Sequence, residues 1–471
     1  MGRNESPYRL SNPDRRRFMK LSAGAGIAWA ALRSSHAQSV VELTVTGPIP
    51  VTPQSGESYR GSNEQPVPGP GLPPPDLDRY GYIQEEYFIS GTVDGKPYST
   101  SLLARKPKDR ARFSGLVGVE TIHAAGAIPF WGTGREVWAP GGHAWVGVAS
   151  QRSALENQVK KFNPTRYAAL QLPEAASSAG EANPTGGMTQ DMISQAIMTQ
   201  VGEFLKRNAG RGPLAGMPVK YLLMGGASQT GATTLSYIQQ SHARARMPDG
   251  KPIYDGYLPA ANFTIEPVSL SDAAIIHLVG EGDFELFSRI TRAPGFKVRG
   301  DSDAANDRYR EYEVVAASHV PSRGSTGGMK PGEMPSQFPS PPIYKGALIN
   351  LIDWVTKGIL PPKAPPIERM NGEIVRDKFG NAKGGVRSPY VDVPTVRYIA
   401  SAPLADGDDR SRAQHGLQEP IPAETLRALY KTRAEYLKRF NQGIDRMVAG
   451  RWIVAADGEK LKEEEAQSAP L

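Results

Sequence analysis

"LLMGGASQTGATT", Leu222 to Thr234, runs three apolar residues into two glycines, a lone serine and a stretch of small residues. This is the pattern of a strand that turns sharply into a helix and lifts one side chain at the corner. The turn is tight, so the positions two before and two after the serine must be small. Here they are Gly226 and Thr230, with Gly231 next, giving G-x-S-x-T-G. "VKYLLMG" (Val219–Gly225) supplies the strand before Ser228, and "TTLSYIQQSH" (Thr233–His242) is compatible with the helix after it.

The neighbouring segments give the sheet. "EYFISGTVDGKPYSTSLLA" places two β-rich runs around Asp94-Gly95, a dipeptide that accepts positive φ and marks a hairpin. "GLVGVETI" (Gly115–Ile122), "AWVGVAS" (Ala144–Ser150) and "AAIIHLVG" (Ala273–Gly280) are short, continuously apolar strands of the kind buried on both faces. "TQDMISQAIMTQVGEFLKRN" (Thr189–Asn208) carries Ile193, Ile197, Val201 and Phe204 on one stripe, with Thr189 as N-cap. "YKGALINLIDWVTKGILPP" (Tyr344–Pro362) is a second helix, ended by Gly358 and Pro361. A hairpin followed by strands alternating with helices predicts an α/β fold, a mostly parallel sheet covered on both faces.

A serine hydroxyl attacks well only when a base takes its proton and donors hold the developing oxyanion. In an elbow of this kind the partners follow in the order serine, acid, histidine. The strand Ala273–Gly280 is followed by Glu281, Gly282 and Asp283. Either carboxylate can be the acid; the "GEGD" loop favours Asp283 over Glu281. In "REYEVVAASHVP" a strand over Tyr312–Ala316 ends in small residues and His319, the candidate base. His415 falls in a polar loop and reads as a surface residue, and Glu285 as a helix-start charge. His143, His242 and His277 precede the acid and read as structural or surface residues. The backbone N–H of Gln229, with one from the Ile122–Ala125 loop that includes His123, forms the expected oxyanion hole.

The 471-residue chain has a net charge of +7 and no cysteine, which removes disulfides and thiolate chemistry. Much of its charge lies at the start. "DRRRFMK" (Asp14–Lys20) precedes the apolar run Leu21–Leu32 and then "SSHAQS". This is a basic region, a short apolar region and a cleavage site after Ala37, with Arg15 and Arg16 placed as in a twin-arginine export signal. Residues 1–37 hold seven basic and two acidic side chains, so removing their +5 from +7 leaves +2. No basic block remains to indicate a nucleic-acid partner, and no apolar run of 18 residues to span a bilayer.

The expected organisation is a signal peptide over 1–37, one domain over 38–455 with a proline-rich surface segment at 66–75, and a charged tail over 456–471. Ser177–Gly187 and Phe284–Asn306 are candidate cap insertions. No H-E-x-x-H or similar ligand cluster calls for a metal, and no cofactor motif appears. "RDKFGNAKGGVRSPYVDVP" (Arg376–Pro394) reads as a defined loop without an assigned role.

With these residues placed, the chain resembles a family of bacterial α/β-hydrolase-domain proteins over about residues 42–450. The resemblance is carried by "GYIQEEYFISGTV", "FSGLVGVETI", "GHAWVGVASQ", "NPTRYAAL", "GGASQTG", "YEVVAASHVP", "DWVTKGILPP" and "GNAKGGVRSPYVDVP". It implies a serine-hydrolase fold with Ser228 and His319 at the nucleophile and base positions. Where relatives tend to have Trp-Leu-Asn after the strand-end "VE", this chain has Thr121, Ile122 and His123. The expected function is a periplasmic or secreted carboxylic-ester hydrolase, exported by the twin-arginine machinery and acting on a small or polymeric ester. The alternative is a catalytically silent binding protein on the same scaffold.

Overall fold

Val117, Val119, Val146, Leu222, Leu223, Leu258, Ile275 and Ile276 are all inaccessible to solvent. Consecutive residues of a strand point to opposite faces, so such runs require cover on both sides of the sheet. The computed structural model describes residues 43–49, 77–176, 188–207, 211–262, 266–291, 299–321, 328–405, 408 and 410–470. The expected signal peptide, the proline-rich segment and the candidate cap residues 177–187 lie outside them.

The main sheet contains β1 (Thr44–Thr46), β2 (Tyr82–Val93), β3 (Lys96–Pro107), β4 (Leu116–Thr121), β5 (Ala144–Val148), β6 (Tyr221–Ala227), β7 (Gly256–Ala260), β8 (Ala274–Gly280), β9 (Ser302–Ala304) and β10 (Asp307–Val314). Their spatial order is β1-β2-β3-β5-β4-β6-β7-β8-β10-β9. The run β5-β4-β6-β7-β8-β10 is parallel, and the N-terminal strands join it antiparallel. Asp94 (φ 52°) and Gly95 (φ 72°) form the two-residue turn of the β2–β3 hairpin. Two successive left-handed residues match the twist of the flanking strands, which is why Asp-Gly serves there.

Five helices bear on the site: α1 (Pro129–Trp138), α2 (Gln190–Arg207), α3 (Gln229–Gln240), α4 (Glu281–Thr291) and α5 (Pro341–Lys357). α2 packs on α3, and α3 lies against β6 and β7; α1 packs on α5, and α5 lies against β7 and β8. Thr189 Oγ1 accepts from the Met192 N–H at 3.2 Å and caps α2, while Gly358 (φ 70°) ends α5. The expected charged tail is instead a helix, Ala455–Ser468, packed along the helix Arg433–Ala449. The reason is one apolar stripe within the charged run: Leu461 is buried, and Tyr436 donates to the buried Glu465 at 2.5 Å.

The unassigned stretch from Arg376 acquires a structural role. Val386 bridges Val314 in parallel, donating to Glu313 O (2.7 Å) and accepting from Val315 N–H (3.1 Å), which extends the sheet beside β10. Arg376 then reaches α4, with Nη1 at 2.8 Å from Glu281 and Nη2 at 2.5 Å from Glu285. Glu285 also accepts from the Ser401 N–H at 3.1 Å, so it is an ion-pair anchor rather than a free helix-start charge. The fork of a guanidinium matches two carboxylates in a way an ammonium cannot.

Arg376→Met leaves the buried Glu281 with no cation and is expected to lower unfolding stability by about 2–3 kcal/mol. Arg376→Lys, which keeps charge but not the fork, is expected to fall between the two. Urea unfolding of the three proteins measures both differences.

Candidate active site

β6 passes into α3 through a single residue, Ser228, at φ 56° and ψ −123°. A non-glycine residue in that region costs on the order of 1–3 kcal/mol and persists only where its surroundings determine it. Those surroundings are visible. The Ser228 N–H donates to Ala260 O (3.0 Å), and Ser228 O accepts from Asn262 Nδ2 (3.0 Å) and the Ala232 N–H (2.9 Å). Thr230 fits two positions after the serine because its hydroxyl folds back, donating to Ala227 O and accepting from the Ala227 N–H, both at 2.9 Å. Glycine is required one residue later: a Cβ on Gly231 would stand 2.2 Å from Ala260 O on the next strand. Thus G-x-S-x-T-G meets the small-residue requirement in another register.

The candidate acid and base follow the ends of β8 and β10, the two parallel strands beyond β7 in the sheet. β8 ends at Gly280 and β10 at Val314, so both following turns open at the C-terminal edge of the sheet beside Ser228. The Gly282 N–H donates to Ala317 O at 2.9 Å, tying the acid-bearing turn to the histidine-bearing one. His319 Nε2 lies 3.0 Å from Ser228 Oγ, and His319 Nδ1 lies 2.6 Å from Asp283 Oδ1. Asp283 Oδ2 accepts from the Gly280 N–H at 2.7 Å, which fixes the carboxylate. Asp283 and His319 are buried. With Nδ1 turned to Asp283, Nε2 is the ring nitrogen that faces the Ser228 hydroxyl.

Glu281, the alternative acid, is turned elsewhere. Its Oε2 accepts from the Ala316 N–H (2.8 Å) and its Oε1 from Arg376. The other histidines among the described residues have partners of their own. His242 lies between Tyr257 and Asp272, and His143 against Ser114. His277 meets Glu311 and the Asn262 carbonyl. His415, expected at the surface, is buried in the helix Arg410–His415 with Nδ1 2.8 Å from Ser411 O. A short helix within a polar stretch packs one face inward, which composition alone does not reveal.

Gln229 opens α3, so its N–H has no preceding intrahelical acceptor and lies beside Ser228. The His123 N–H does not join it: it donates to Ala127 O at 3.0 Å, closing its own loop. The imidazole of His123 is half-buried and is held neutral, its pKa pulled down to about 4 by desolvation and then by the charge of His319.

Two residues outside the sequence reading complete the region. Asn262 holds the Ser228 carbonyl. Glu120, wholly buried at the end of β4, accepts from the Phe130 N–H (2.8 Å), the Trp131 N–H (3.2 Å) and Trp145 Nε1 (3.1 Å). It thereby clamps both ends of the loop containing His123, and burial pushes its carboxyl up to about 8. A carboxylate inside an apolar strand was the available signal. Among the described residues, no cluster of His, Asp and Glu converges as a metal centre would require.

The chain is similar to solved structures named as hydrolases, at low identity. A structure titled as a putative dienelactone hydrolase from Klebsiella pneumoniae is 14% identical, with 49% of this chain and 85% of that one covered and a TM-score of 0.27. The brefeldin A esterase, titled as a bacterial homologue of human hormone-sensitive lipase, is 15% identical, with 53% and 55% covered and a TM-score of 0.25. The esterase Est22 is 14% identical over 38% of this chain, which spans 44% of that one, at a TM-score of 0.24. No curated protein matches. The model of the alpha/beta hydrolase domain matches residues 45–463, nearly the whole described chain, and the chain belongs to that family.

Proposed function

We propose that the protein is an exported serine hydrolase that cleaves carboxylic esters through an acyl-enzyme. The observation that carries this reading is the unbroken sequence of hydrogen bonds from Ser228 through His319 to Asp283, hung on a strained elbow. In the reading, His319 Nε2 accepts the Ser228 proton as Oγ bonds to the ester carbonyl carbon. Asp283 keeps the imidazole in the tautomer that presents a free Nε2 and stabilises the imidazolium formed. The imidazolium returns the proton to the departing alkoxide, releasing the alcohol. Water, deprotonated by the same His319, then hydrolyses the acyl-serine. The Gln229 N–H, at the first residue of α3, is one donor to the oxyanion in this reading.

The serine at the elbow fits acyl transfer, because displacement at a carbon–halogen bond would need a carboxylate in its place. Export is supported by the order of basic, apolar and small-residue segments before Ala37, and the absence of cysteine suits folding before transport.

Turnover of p-nitrophenyl acetate tests the chemistry. Ser228→Ala is expected to lower kcat at least about 10³-fold. Asp283→Asn, which leaves the geometry and spoils the tautomer, is expected to lower it by roughly 10⁴-fold. For export, the mass of protein recovered from the periplasm is expected to begin at Gln38, and replacing Arg15 and Arg16 together by lysine is expected to retain the full-length chain in the cytoplasm.

A further inference from the structure

The loop after β4 is the conventional place to seek the second oxyanion donor, but its backbone donors are occupied. The Ile122 N–H donates to Val148 O (2.9 Å), His123 to Ala127 O (3.0 Å) and Gly126 to His123 O (2.7 Å). The Ala124 N–H donates to the side chain of Gln229 at 2.8 Å. The Ala125 N–H donates to His123 Nδ1 at 3.0 Å. Five successive amides are therefore satisfied within the protein, and the loop is fixed to the residue that follows Ser228.

The last of these bonds determines a tautomer. Nδ1 accepts from Ala125, so in the neutral ring the proton sits on Nε2, which is then a donor only. Among the described residues no acceptor meets that Nε2–H. The position of the ring follows from strand register. β4 and β6 are adjacent and parallel, with Leu116 opposite Tyr221 and Val119 opposite Met224. Continuing the same offset sets His123 level with Ser228 at the open edge of the sheet. Desolvation first, and then the charge of His319, depress the basicity of His123 and keep its ring neutral.

We infer that the side chain of His123, through Nε2–H, is the second donor to the oxyanion, opposite the Gln229 N–H. The inference rests on the hydrolase reading above. As Ser228 Oγ bonds to the carbonyl carbon, the carbonyl π pair moves onto oxygen and the serine proton passes to His319. His123 donates a hydrogen bond to that oxygen and keeps its own proton, so no further acid or base is consumed. A neutral imidazole is suited to this work. A charged one would oppose the imidazolium forming at His319.

The test combines kinetics on p-nitrophenyl acetate with ¹⁵N spectroscopy of the imidazoles in the mature protein. His123→Phe, which removes the donor and keeps an aromatic ring, is expected to lower kcat by about 10²–10³-fold with KM changed by no more than about threefold. His123→Gln, which restores an N–H donor, is expected to recover at least about tenfold of that loss. A merely structural role would lower folded yield without this rescue. The His123 ring is expected to show the Nε2–H form at neutral pH and to stay neutral down to about pH 4. An Nδ1–H form, or a His123→Phe variant within about threefold of the parent kcat while Ser228→Ala is inactive, overturns the assignment. If parent and Ser228→Ala turn the ester over equally, the hydrolase reading itself is wrong and this assignment falls with it.

Discussion

One residue held against its own preference organises the rest. Ser228 sits at positive φ between a buried strand and a helix, a conformation that a free chain would leave at once. It persists because both of its peptide groups are fastened to the neighbouring strand end, through Ala260 and Asn262, and because Gly231 lets the helix approach that strand. These fastenings exist only if β6 and β7 lie side by side and in parallel, within a sheet covered on both faces. The strain at the serine is thus offset by the burial that makes the sheet, and the sheet is what brings the other residues to the same edge.

Parallel strands end at the same edge, so residues distant in sequence converge there. Asp283 and His319 follow β8 and β10 in this way, and His123 follows β4 on the other side of the serine. The turns after β4 and β10 are each secured by a carboxyl group that is itself outside the hydrogen-bonded trio. Glu120 closes the loop of His123 by accepting the first amides of α1. Glu281 holds the Ala316 amide ahead of His319 while Arg376 neutralises its charge. The chemistry and its support are divided among different acids, and neighbours two residues apart differ in role because their side chains leave opposite sides of one helical turn.

The sheet, the elbow and the positions of Ser228, Asp283 and His319 at strand ends are legible in the sequence because each rests on local pattern: continuous apolar runs, a tight small-residue turn, and polar residues just past strand ends. The GEGD turn favours Asp283 over Glu281 only weakly in sequence, since both occupy one turn, and their tertiary partners are what distinguish them. The segment from Arg376 was opaque for the same reason: its function is to reach α4 and extend β10, and neither partner is nearby in the chain. His415 and the helix Ala455–Ser468 were misread where polar composition hid a narrow buried stripe. The sequence points to a backbone N–H of the His123 loop as a donor, whereas in the folded loop the His123 N–H is taken by Ala127 O. The ladder of five occupied amides that directs attention to its side chain appears only once the loop is folded.

The most direct measurement is intact-protein mass, with peptide mapping, after incubation of the folded protein with a fluorophosphonate. The account predicts a single stoichiometric adduct on the peptide carrying Ser228, absent in Ser228→Ala and formed slowly in His319→Ala. No adduct on a folded parent, or an adduct that persists in Ser228→Ala, would contradict an activated serine at the elbow.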